Sequence, residues 1–154
     1  MCWAFAIITI VALIVPTAIS QTWRELLEKA EAYSEMSKRD SAVVFGRLAL
    51  DKVIAERGES DTATATVLFN MGRYFRSASN FVQAESAFVK SLRIRTMRLG
   101  NEHTEVAVNM YLLGRLCFSQ GRYAEAKAWY EKSLTIREKE LGQNHLLVGV
   151  TLNS

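Results

Sequence analysis

Two histidines, two cysteines and sixteen carboxylates are the groups from which this chain would have to build a metal site, a nucleophile or an acid–base pair. His103 and His145 lie 42 residues apart, and no Cys, Asp or Glu cluster at ligand spacing accompanies either. Metal sites draw on clustered ligands, so no metal is expected, and both histidines read as helix-junction residues that cap or pack. Cys117 falls on an apolar helical face with no histidine placed as its base, and a buried structural thiol is inert. A Gly-rich phosphate loop, a catalytic carboxylate pair and a Ser/His/Asp set are all absent. The chain reads as a non-enzyme, with no catalytic residue and no cofactor.

The stretch Lys90–Arg98 carries four basic residues, Lys90, Arg93, Arg95 and Arg98, without an acid. Nucleic acid or an anionic lipid surface could use such a run through Arg93, Arg95 and Arg98. Its counterpart 132–141 is mixed in sign, with Glu138 and Glu140 answering Arg137 and Lys139. A solvated outer face is the better reading of both. A net charge of +3 is far from the dense basic stripe that nucleic acid demands, and no nucleic-acid partner is expected.

The elements that must position these groups repeat. Sliding residues 61–102 onto 103–144 gives thirteen identities, among them Gly72/Gly114, Arg73/Arg115, Ala84/Ala126, Ile94/Ile136 and Gly100/Gly142. A fixed period of this length marks stacked units, each burying its apolar face against its neighbours. Within 61–78, Ala65, Leu68, Met71, Gly72 and Phe75 recur at helical spacing, with Asp61 as a candidate N-cap. A second helical face follows through Phe81, Ala84, Ala87, Phe88, Ser91, Leu92 and Leu99, and Gly100 ends it. Residues 103–119 and 122–140 repeat the pair, with a break at Gly121. Gly72 and Gly114 sit mid-helix and imply a close helix approach, with Ala84 and Ala126 as the matching small contacts. Phe88, Tyr123, Trp129 and Tyr130 read as core aromatics by spacing.

Carried upstream, the frame finds Leu26, Ala30 and Tyr33, then Ala42, Ala49, Leu50 and Gly58, in a looser end unit. The expected organisation is a segment 1–20, a divergent unit 21–60, units 61–102 and 103–144, and the start of a fourth at 145–154. Residues 145–154 would offer Leu146, Val148, Val150 and Leu152 as an apolar edge for another copy or further repeats. Residues 2–19 carry no charge, and the apolar run 3–15 is short of the roughly twenty residues a bilayer span needs. Pro16 and Ala18-Ile19-Ser20 fit a secretory signal cleaved between Ser20 and Gln21. An uncleaved membrane anchor and a buried helix are the alternatives; export to a secreted or periplasmic location follows from the first. With those residues removed only Cys117 remains, and no internal disulfide is possible.

A small residue mid-first-helix, an aromatic, an alanine early in the second helix and an aromatic four residues on resemble the tetratricopeptide repeat. The 42-residue period, the Ser-Leu-x-Ile-Arg stretch and the Leu-Gly-x-x-His junction look like the longer subtype of kinesin light chains. Cys117 departs from the usual aromatic, and Leu112 stands where such units often carry the asparagine that Asn70 keeps. The resemblance implies an all-α, right-handed solenoid of about three units plus a partial fourth, working as a protein-binding scaffold. It further implies that first helices line a concave groove, offering Phe69, Asn70, Arg73, Arg76 and Ser77 in one unit and Tyr111, Arg115, Phe118 and Ser119 in the next. Arg73 and Arg115 should be neighbours, free to grip carboxylates of an acidic and partly apolar peptide or helix, or else merely solvated or paired with Glu31 and Glu105. A structural array that self-associates through 145–154 is the alternative function.

Overall fold

The computed structural model describes residues 21–141, and the segments 1–20 and 145–154 discussed above lie outside them. Among the described residues there are six helices and no strand: α1 Trp23–Glu35, α2 Arg39–Arg57, α3 Thr62–Ser77, α4 Phe81–Leu99, α5 Thr104–Ser119 and α6 Tyr123–Leu141. Each packs on the next in chain order, giving three antiparallel hairpins stacked into an all-α repeat solenoid. None of these helices is long and apolar enough to cross a membrane.

Local chemistry sets the helix ends. Thr22 and Glu25 form a reciprocal capping box on α1, and Asp61 accepts from the Ala63 amide at 2.8 Å on α3. His103 caps α5, its Nδ1 accepting from the Glu105 amide at 3.1 Å, so this histidine is a cap and the expectation of a junction role holds. Gly58 and Gly100 end α2 and α4 with φ of 87° and 89°, a left-handed conformation that glycine enters without penalty. Within the hairpins the turn residue is left-handed at one repeat position throughout: Ser37, Ser79 and Gly121.

The apolar stripes identified by spacing face inward, with Ala65, Met71, Ala84, Phe88, Ala107, Leu113 and Ala126 all buried. Two details differ from expectation. The atoms nearest the mid-helix glycines belong not to Ala84 and Ala126 but to the rings four residues further on. A Cβ built on Gly72 would lie 2.5 Å from the Phe88 ring, and one on Gly114 would lie 2.6 Å from Tyr130. Tyr123 is also no core residue: it is 64% exposed, because it opens α6 beyond the end of its partner helix and leans edge-on against Phe118.

Gly72→Ala sets helix propensity, which favours alanine by about 1 kcal/mol, against a clash with a fully buried ring. Overpacking should win, lowering stability by about 1–3 kcal/mol in urea unfolding, and Phe88→Leu in the same chain should recover part of the loss. A Gly72→Ala protein as stable as the parent would show that the ring does not set the helix spacing.

Candidate functional site

The first helices meet along one face through charged side chains. Arg73 of α3 reaches back to Glu31 of α1 at 3.1 Å and also donates to Asn70 Oδ1 at 2.9 Å. The Tyr74 hydroxyl donates to the other Glu31 oxygen at 2.8 Å, and burial, then that carboxylate, raises its pKa well above the usual phenol value. Arg73 thus has a partner within the protein. Arg76 does not: its Nε is buried without a hydrogen-bond partner among the described residues. Burial, then the positive charges of Arg115 and Arg73, depresses its pKa. Arg115 of α5 is exposed and makes no ion pair among those residues. One turn on, Phe118 is 53% exposed, with Tyr123 at a centroid distance of 5.3 Å. Ser77 and Ser119 turn their hydroxyls back onto Tyr74 and Leu116 carbonyls at the ends of their own helices.

Phe69 and Tyr111 stand in a repeated stack behind this face. Phe69 lies between the Phe88 ring, 6.0 Å away, and the Arg95 guanidinium, 4.6 Å above its centroid. Tyr111 lies between Tyr130 at 5.6 Å and Arg137 at 5.0 Å. Both arginines are buried, Arg95 to 5% exposure. This corrects the picture of a solvated basic run: Arg93 and Arg98 are exposed, but Arg95 points inward because it follows Ser91 by one turn on the buried stripe. An anionic-surface site using all three cannot form.

Arg95 is instead the bolt between two hairpins. Its Nε lies 3.1 Å from Glu105 of α5, and its Nη1 donates to Asn109 Oδ1, while Asn109 Nδ2 donates to the Phe88 carbonyl at 3.0 Å. Glu105 is therefore spent on Arg95 and not on Arg115. Burial lowers the Arg95 pKa and Glu105 pushes it back up. At the preceding junction the same three positions are Ala49, Val53 and Val67, all fully buried, so an aliphatic contact stands where Ser91, Arg95 and Asn109 stand later. Arg95 recurs as Arg137 one period on, but so does the exposed Lys90 as Lys132, so the repetition alone does not mark the position as buried; its helical phase relative to Ser91 and Ile94 does.

The remaining groups show no chemistry of their own. Cys117 is buried, which raises its thiol pKa, and among the described residues no group of three or more His, Cys, Asp or Glu side chains is placed to hold a metal.

A profile of the tetratricopeptide repeat matches residues 78–139 and 105–154. The chain belongs to the tetratricopeptide repeat family. Solved structures similar to this tetratricopeptide array include BtubC (BKLC) from P. vanneervenii, with a TM-score of 0.77, 25% identity and 83% of the present chain covered. The nearly identical TPR-like repeats of a kinesin light chain described from Podosopora anserina superpose with a TM-score of 0.75 at 17% identity, again over 83% of the chain. The chain spans 51% and 61% of the lengths of those two structures. A comparison with curated proteins finds no match. Tetratricopeptide repeats mediate protein–protein interactions and are typically non-catalytic scaffolds, which agrees with the absence of catalytic constellations in the sequence.

The bolt makes a sharp prediction. Asn109→Leu leaves a buried guanidinium with one acceptor fewer and should cost about 1.5–3 kcal/mol. Arg95→Val with Asn109→Val, which copies the aliphatic junction, should cost far less, with the difference read from denaturant midpoints. A double variant as damaged as the single would mean that the cation is irreplaceable at this junction.

Proposed function

We propose that this array is a scaffold that captures an acidic, partly apolar segment of a partner protein along its first-helix face. The observation that carries the reading is the pair Arg76 and Arg115, neither of them in an ion pair among the described residues, with the Arg76 Nε buried and unbonded and its basicity lowered first by burial and then by the charge of Arg115. Like charges held together are a cost in the free protein, and a partner carboxylate removes it while accepting two parallel bonds from a guanidinium. Arg73 contributes less, since Glu31 already holds it; that half-exposed pair is worth about 0–1 kcal/mol, weak enough to yield to a better acceptor. Phe118 and Tyr123 supply an exposed aromatic surface beside the charges, and Phe69, Asn70 and Tyr111 fix the wall from behind. Preformed helices limit the ordering cost of binding.

We read residues 1–20 as an export signal. The α1 cap starts at Thr22, so a cut between Ser20 and Gln21 leaves the capping box whole. Protein isolated from its own host should have an intact mass beginning at Gln21; a mass retaining Trp3 and Pro16, in the membrane fraction, would make it an anchored array.

Arg76→Glu and Arg115→Glu should each weaken capture of partner proteins from host extract by about tenfold or more, while Arg73→Ala should have the smaller effect. Raising the salt should weaken wild-type capture in the same direction. Capture that survives both charge reversals would sink the first-helix reading.

A further inference from the structure

The outer surface made by the second helices is closed at one junction and open at the other. Between α4 and α6, Glu85 takes the Arg122 guanidinium in two bonds of 2.9 and 3.2 Å, and Trp129 packs against the core below. One period earlier those positions are Val43, Asn80 and Ala87. No ion pair can bridge the surface there, and a methyl group stands in place of an indole. The result is a cleft of about 380 Å³ between α2 and the start of α4, continuous through Arg47, Phe75 and Gln83 with a second one of about 200 Å³. Its walls are apolar: Val43 and Leu50 of α2, Met71 and Phe75 of α3, and Ala87 of α4. Exposed Val44 and Leu48 extend the apolar rim on α2, and Val82, 79% exposed, marks the α4 side.

The charge around the cleft is predominantly positive. Arg47 and Lys90 line it, and Lys38 and Arg39 line an adjoining recess of about 530 Å³ that shares Asp40 and Ala78 with it. Asp40 is the one carboxylate in the three linings. None of the four cations is in an ion pair among the described residues; Arg47 and Lys38 lie only over the Phe75 and Tyr33 rings, at 5.7 and 5.8 Å. An apolar slot of this size rimmed by unpaired cations fits a large apolar side chain flanked by carboxylates.

We propose that the outer cleft between α2 and α4 is a second docking site, which takes a short partner segment bearing an apolar anchor beside acidic residues. It shares none of Arg76, Arg115 and Phe118, so it stands or falls separately from the first-helix face. The third hairpin supplies the native template for blocking it: Ala87→Trp rebuilds the side chain that occupies the equivalent position at 129.

The test is selection of a displayed random-peptide library on the full chain, followed by fluorescence anisotropy of the enriched peptides. Enriched peptides should combine a large apolar residue with Asp or Glu. Ala87→Trp should weaken them by about tenfold or more, as should Lys90→Glu, an exposed change that leaves packing intact, while Arg115→Glu should leave them unaffected. No enrichment, or affinities indifferent to Ala87→Trp and Lys90→Glu, would overturn the site. Peptides lost only with Arg115→Glu would do so too, while supporting the first-helix reading. Binding of phosphatidylserine vesicles that Lys90→Glu abolishes, with no peptide enriched, would make the cleft a lipid contact and overturn the proposal equally.

Discussion

An aromatic ring resting on bare helix backbone holds each of the later hairpins at its spacing. Phe88 on Gly72 and Tyr130 on Gly114 leave no room for a methyl group, so each ring lies directly against the backbone of the facing helix. Interiors packed to crystal-like density transmit such a constraint to everything beyond it. Phe69 and Tyr111 lean on those same rings, and the buried arginines lie on Phe69 and Tyr111 in turn. The first hairpin inverts the device. Alanine stands at position 30, glycine at 46, and the space over Gly46 is taken by Met71 and Tyr74 from the following unit. At that position the gap is therefore filled by its neighbour and not by its own two helices.

The junctions between hairpins are not built alike. The first is aliphatic, through Ala49, Val53 and Val67. The second is polar, through Ser91, Arg95, Asn109 and Glu105. The backbone carbonyl contacts show how the same period accommodates both: Ser91 bonds the Ala65 carbonyl at 2.7 Å, and Ser133 bonds Ala107 at 2.8 Å, each between the two helices of its own hairpin. Each serine is satisfied locally, which leaves the arginine one turn on to reach the next unit. Buried, it is stable only because α5 supplies two acceptors for it.

Much of this was legible in the residues. The period, the hairpins, the Asp61 cap and the inward stripes follow from spacing, because helix periodicity and capping are local. The glycine contacts were legible as tight but not as to partner: spacing gives a face, while the length of a side chain decides what reaches across. Arg95 illustrates the limit. In a run of four cations it looks solvated, and only the helix phase relative to Ser91 and Ile94 turns it inward. Glu105 was placed near enough to Arg115 to be its partner, yet a buried cation on another helix claims it, since the need for a counter-charge is greatest where water is absent. Of the face residues, Arg73 was foreseen with both of its options, and the structure shows it with Glu31. The bareness of Arg76 depends on what three helices fail to supply, which no single stretch of sequence records.

The polar junction also bears on how such a chain can lengthen over evolutionary time. Copying unit 61–102 in tandem would set Arg95 against the Ala63 and Val67 of its own duplicate, a cation sealed against two apolar residues. Extension at that point by simple duplication would leave a buried cation without an acid or amide opposite it, a destabilised array until one arrived. The order of its units is thus inscribed in the chemistry of the seams, and a shuffled array would be recognised as wrong from within its own core.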